Sequence, residues 1–148
     1  MQRRTRPISG LECAYVVTPG QVEYHGNTMQ IIDQVDQDLF ISDDPTVFPD
    51  AVAVIHVDIT INMVTGKATA HSTAVLQPDG GAGTWEGHAD FHLSSMEGAQ
   101  QGHAVFHGTG DLTGQTLIIA PTSGDTGGCP GTPFTAGRFE GFIVPAEP

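Results

Sequence analysis

Residues 84–93 (TWEGHADFHL) and 103–112 (HAVFHGTGDL) alternate between two kinds of side chain. Trp85, Gly87, Ala89, Phe91 and Leu93 interleave with Glu86, His88, Asp90 and His92, and Ala104, Phe106, Gly108, Gly110 and Leu112 with His103, Val105, His107, Thr109 and Asp111. Successive side chains of a strand point to opposite faces, so each segment has an apolar face and a polar one. The pair reads as a wide β-hairpin and hence as part of an all-β fold. Four of the seven histidines fall on its polar side.

The rest of the chain agrees. Alternating segments run over residues 11–17, 22–26, 28–33, 51–63, 68–76, 116–120 and 137–144, and no apolar stripe has helical period. Residues 39–41 read as a short strand between acidic loops, and residues 121–133 as loop. Nineteen glycines and ten prolines suit many strands joined by turns. Strands of about ten residues are long for a sandwich, and glycines within them suit tight coiling. The fold class expected is a single closed antiparallel β-barrel of about eight strands, with a sandwich or jelly roll as the alternative. The domain spans residues 11–148, and residues 1–10, with Arg3, Arg4 and Arg6, read as a flexible N-terminal tail.

A net charge of −12 argues against nucleic acid or an anionic membrane as partner. The longest apolar run, residues 51–55, falls far short of the roughly 20 residues that span a bilayer as a helix. Cys13 and Cys129 either form a disulfide closing a very long loop or are two unrelated thiols. No leader-like apolar stretch follows Met1. With a single lysine and much Thr and Gly, the composition leans towards an exported mature form over a cytosolic one.

Motifs that carry chemistry are scarce. Pairing Phe91 with Ala104 sets His92 opposite His103, His88 opposite His107, and Trp85 opposite Gly110. His88 and His92 lie about 13 Å apart along one strand and cannot share a metal whose bonds to nitrogen are about 2.0–2.1 Å. The cross-strand pairs His88–His107 and His92–His103 are half-sites that Asp90, Glu86 or a third strand must complete. The plainer alternative is a solvated face whose histidines titrate near neutral pH. Asp33, Asp36, Asp38, Asp43 and Asp44 lack the order of an EF-hand and read as solvated acidic loop. Gly108-Thr109-Gly110 lacks the lysine and helix of a phosphate loop, and no serine sits in a nucleophile elbow. No catalytic residue is singled out, and no cofactor is expected.

Ser42-Asp43-Asp44-Pro45, Val57-Asp58-Ile59-Thr60, Gly83-Thr84-Trp85-Glu86-Gly87 and Gly108-Thr109-Gly110-Asp111-Leu112-Thr113-Gly114 give the chain a family likeness. It resembles a group of small bacterial β-barrel proteins, similar in style to the allene oxide cyclase and dirigent-type barrels of the calycin-like group. The likeness covers most of residues 42–145. It implies an eight-stranded barrel with a mainly hydrophobic cavity, often oligomeric, that binds apolar small molecules and guides their cyclisation or coupling without a cofactor. The catalytic residues of the cyclases have no counterpart that can be placed on this chain, so the activity itself does not transfer.

Three functions compete. The first is a barrel enclosing an apolar small molecule, as carrier or as cofactor-free cyclase or isomerase. Tyr15, Trp85, Phe91, Phe106 and Phe139 would line or fill its interior, with Tyr15 and Tyr24 as phenol donors. The second is a self-associating homo-oligomeric module with a histidine-rich outer face. The third is a metal-dependent enzyme using His88, His107, His92, His103 and Asp90.

Overall fold

The computed structural model describes residues 4–94, 100–123 and 127–146. The alternation seen in the hairpin recurs along nearly every strand. These are β1 (Arg6–Thr18), β2 (Gln21–His25), β3 (Thr28–Ser42), β4 (Ala51–Asn62), β5 (Ala68–Pro78), β6 (Trp85–Leu93), β7 (Gln100–Gly108), β8 (Thr116–Ser123) and β9 (Thr135–Val144). Among the described residues the only helical element is a short 3₁₀ turn, Gly110–Leu112.

Every pairing is antiparallel, in the order β1-β9-β8-β7-β6-β5-β4-β3, and β3 returns to β1 to close an eight-stranded barrel. The ninth strand, β2, continues β1 past the break at Pro19-Gly20 and pairs with the first half of β3. β1 begins at Arg6, and residues 6–10 pair with β9. The domain therefore starts five residues earlier than the expected tail boundary. Ile8 and Gly10 of that stretch are buried, which the neighbouring arginines obscure in the sequence.

Small inward residues keep the barrel narrow: Ala51, Ala53, Ala74, Ala89 and Ala104 are all buried in one cluster. One end is plugged from the β3–β4 connection by Phe48, which packs edge-on to Phe139 at 6.0 Å between ring centroids, as Phe40 does at 5.4 Å. Trp85, Leu76, Leu117 and Ile143 complete that packed end. A smaller cluster of Val57, Ile59, Ile61 and Ala68 lies along β4 and β5, with Met29, Ile31 and Leu93 against it.

Cys13 and Cys129 form a disulfide. It pins residues 127–134 over the outer face of β1. There the Tyr15 hydroxyl donates to the Pro130 carbonyl, and the Phe134 amide donates to the Ala14 carbonyl at 2.7 Å. Leu11 and Cys13 are thus buried although they face out of the barrel.

The acidic residues expected to lie in solvated loops divide. Asp43 accepts from Ser9 and Arg138, tying the β3 end to β1 and β9, and Asp50 accepts the Ser42 amide at 2.8 Å. Asp44 accepts the Thr46 amide within a turn. Asp33, Asp36 and Asp38 lie within β3, a continuous strand over the stretch read as loop.

Candidate functional site

The hairpin register differs by two residues from the one expected. Trp85 faces Gly108, Gly87 faces Phe106, and Phe91 faces Gly102. Each aromatic thus has a glycine across the ladder, whereas the expected register gave only Trp85 that partner. A Cβ at Gly87 would lie 2.0 Å from the Val105 carbonyl oxygen, so only glycine fits there. Gly110, at φ 57°, belongs to the 3₁₀ turn and cannot pair with Trp85.

The slip keeps every side chain on its face but removes the two histidine pairs. His103 now opposes Asp90, His107 opposes Glu86, and His88 opposes Val105. The proposed metal half-sites do not form. Among the described residues no group of three or more His, Cys, Asp or Glu side chains is placed to hold a metal. Instead the outer face carries a cross-strand row, Asp58–His71–Asp90–His103, one residue from each of β4 to β7. His71 Nδ1 lies 2.5 Å from Asp90 Oδ1. That hydrogen bond, aided by the charges of His71, His88 and His92, holds the Asp90 carboxyl below the usual range.

Inside the barrel, chemistry comes from β3. A bulge between Ile31 and Gln34, with Asp33 at φ 59°, resets the alternation, and Asp58 braces it by accepting the Asp33 amide at 2.8 Å. Before the bulge the odd residues Met29 and Ile31 pack inward. After it the even residues Gln34, Asp36, Asp38 and Phe40 are buried. Gln34 donates to Asp36 at 2.9 Å. Asp38 is only 3% exposed, and its Oδ1 has no hydrogen-bond partner. Burial, a hydrogen bond with Glu12 of β1, and the nearby charges of Glu12 and Asp36 push the Asp38 carboxyl far above its ordinary pKa. Burial also raises Asp36, against the Gln34 bond.

Beside this carboxyl pair lies a cavity of about 70 Å³. Seven strands contribute to its wall, among them Glu12 (β1), Phe40 (β3), Ile55 (β4), Ser72 (β5), Phe91 (β6), Phe106 (β7) and Ile119 (β8). Ser72 and His88 are polar residues in that otherwise apolar and aromatic lining, and Glu12, its acidic residue, is paired by a hydrogen bond with the buried Asp38. Such a pair can donate or accept a proton or bind a complementary charge.

Of the aromatics expected at a ligand site, only Phe91 and Phe106 line this cavity. Trp85 and Phe139 fill the plugged end. Tyr15 is on the outer face of β1 beneath the disulfide loop, and Tyr24, 65% exposed, is on β2 outside the barrel. Glu12, Asp36 and Asp38 were not anticipated, because Val35, Leu39 and Ile41 make the opposite parity look like the buried one. The inward run Gln34, Asp36, Asp38, Phe40 was the available signal.

An open groove of about 560 Å³ runs along the outer wall over β1, β9 and β8, with Pro7, Ile118, Ala120 and Phe142 along it. No helix among the described residues is long and apolar enough to cross a membrane. Compared with protein-family models, with curated proteins and with solved structures, the chain gives no match in any of the three.

Proposed function

We propose that the barrel binds a small, largely apolar molecule in the cavity beside Glu12 and Asp38, as a carrier or as a cofactor-free cyclase or isomerase. The observation that carries this reading is a cavity inside the barrel whose largely apolar wall includes Glu12, the hydrogen-bond partner of the buried Asp38. Sites of this composition, apolar with one or two convergent polar groups, are where small ligands bind. A catalytic variant of the reading uses Asp38 as proton donor and Glu12 as acceptor, in a space that excludes water. Carrier or catalyst, this is also what the likeness to allene oxide cyclase and dirigent-type barrels implies.

Size limits the ligand. The 70 Å³ cavity is roughly half the volume, about 150 Å³, of an apolar cavity that takes up benzene. The ligand therefore has only a few non-hydrogen atoms, or sends in a narrow tail. Ligand-observed NMR with a panel of small fragments tests the reading. Binding is expected to be saturable and to be lost in Ala104→Leu, which fills the cavity from β7, with Ser72→Leu filling it from β5 if the first variant does not fold. Failure of every fragment to bind, or equal binding by a folded filled variant, would overturn the proposal.

A second reading is favoured by one observation. His56, His71, His88, His92, His103 and His107 are all exposed on the outer faces of adjoining strands β4 to β7. Positive charge on imidazoles of that wall, set among Asp58, Glu86 and Asp90, would let a second copy of this acidic protein dock against it.

A further inference from the structure

The barrel interior is rich in hydrogen-bond acceptors and poor in donors. Glu12, Asp36 and Asp38 bring three carboxyls to adjoining positions of β1 and β3, and the Gln34 amide is already committed to Asp36. No lysine or arginine of the described residues reaches them. Arg4 and Arg6 are exposed at the start of the chain, Lys67 is exposed in the β4–β5 turn, and Arg138 is bound to Asp43 on the outside. Six histidines are exposed on β4 to β7, and of these His88 is also among the residues lining the cavity, while His25 is on β2 beside Glu23. Arg3 lies outside the described residues. One carboxylate oxygen, Asp38 Oδ1, is left buried without a partner. A buried acceptor without a donor is costly, so the missing donor is a specific demand of this site.

Three aromatic rings, Phe40, Phe91 and Phe106, wall the same cavity. Their faces attract cations. A divalent metal is a poor complement, because no group of three or more ligands is arranged for one among the described residues.

We propose that the ligand of this cavity is a small organic ammonium ion, its N–H groups donating to Glu12, the hydrogen-bond partner of Asp38, and its short body lying among Phe40, Phe91 and Phe106. The inference rests on the reading of the cavity as a ligand site and adds the charge of the occupant. Binding displaces a proton. The ammonium stabilises ionised Asp38, which otherwise holds its proton, so uptake of the cation releases that proton to solvent. The titratable groups beside Asp38 are Glu12 from β1 and Asp36 from β3, its direct neighbours across the ladders are Ala14 of β1 and Ala53 of β4, and His88 of β6 is the other titratable residue lining the cavity. Affinity therefore rises with pH until Asp38 is ionised in the free protein.

The test is calorimetric titration of the full chain with methyl-, ethyl- and propylammonium chloride, each compared with the alcohol of the same size. At least one ammonium ion is expected to bind about ten-fold or more tightly than its alcohol, as a charge-assisted hydrogen bond warrants. Titrations in buffers of different ionisation heat are expected to show a proton released. Asp38→Asn and Glu12→Gln are expected to lose the preference for the ammonium ion over its alcohol. If Asp38→Asn does not fold, Glu12→Gln alone carries the comparison. Alcohols binding as tightly as the ammonium ions, or an undiminished preference in a folded variant, would overturn the cation while leaving the cavity reading in place. If neither alcohols nor ammonium ions bind, both fall.

Discussion

Asp38 has a consequence for stability as well as for binding. Its folded-state pKa is raised above that of the unfolded chain, so the native state holds a proton that the unfolded state gives up as pH rises. The stability this proton contributes is present below the ordinary carboxylate pKa and is lost as pH climbs towards the folded value. Asp36 has the same sign. Asp43 and Asp90 have the opposite sign: both are lowered, so their contribution is lost only as pH falls through their folded values. Asp38→Asn removes the buried acid without changing its shape. Urea unfolding between pH 4 and pH 8 is expected to show the variant gaining on the parent steadily as pH rises. Parallel curves would show that Asp38 is not held protonated by the fold.

Gly87 makes a second prediction at this scale. A Cβ there meets the Val105 carbonyl oxygen at 2.0 Å, so Gly87→Ala must push β6 and β7 apart. A loss of about 1–3 kcal/mol is expected by chemical denaturation, the usual range for overpacking. The parities of β6 and β7 could be read from their residues, as could the alternation of β4 and β5. The pairing within the hairpin could not, because a two-residue slip keeps every side chain on its face and changes only the partners.

Among the elements, β3 was the least legible. Val35, Leu39 and Ile41 make the odd residues look buried, and nothing in the local composition marks Asp33 as a bulge. The odd residues are instead on the outer side: Leu39 pairs with Cys13 beside the disulfide loop, and Ile41, which pairs with Leu11, stays exposed. The fold thus provides a second apolar environment outside the barrel, which frees the inner parity of β3 for carboxyls. This cover depends on Cys13–Cys129. Replacing both with alanine removes a cross-link 116 residues long and is expected to cost about 2–5 kcal/mol. The melting temperature of the double variant, and of the parent with and without reductant, measures it. An unchanged value would mean that the loop holds its place on the strength of Tyr15 and Phe134 alone.

For the whole molecule, the uneven placement of charge is the dominant property. A chain of net charge −12 gathers six of its seven histidines on one wall. On the second reading of function, the wall is tested by lowering the pH from about 7.5 to 5.5, the interval in which an unperturbed imidazole gains its proton. Light scattering is then expected to show a rise in mass that salt suppresses, as screening requires. Constant mass across the interval would dismiss self-association through this face. The barrel itself was legible from strand number, length and turn spacing. The closing contact was not, because nothing in residues 6–14 announces that they will pair with residues 135–143.

That closing contact has a consequence in time. The first strand of the barrel is held between β3 and the last strand made, β9. A growing chain therefore carries β1 with one flank open until β9 has been synthesised, and Cys13 must likewise wait for Cys129. Such distant pairing makes closure slow. Unpaired strands invite other chains during the wait. Nascent copies of this protein are most exposed to aggregation just before their final strand arrives, and once it pairs the ring has no edge left at β1.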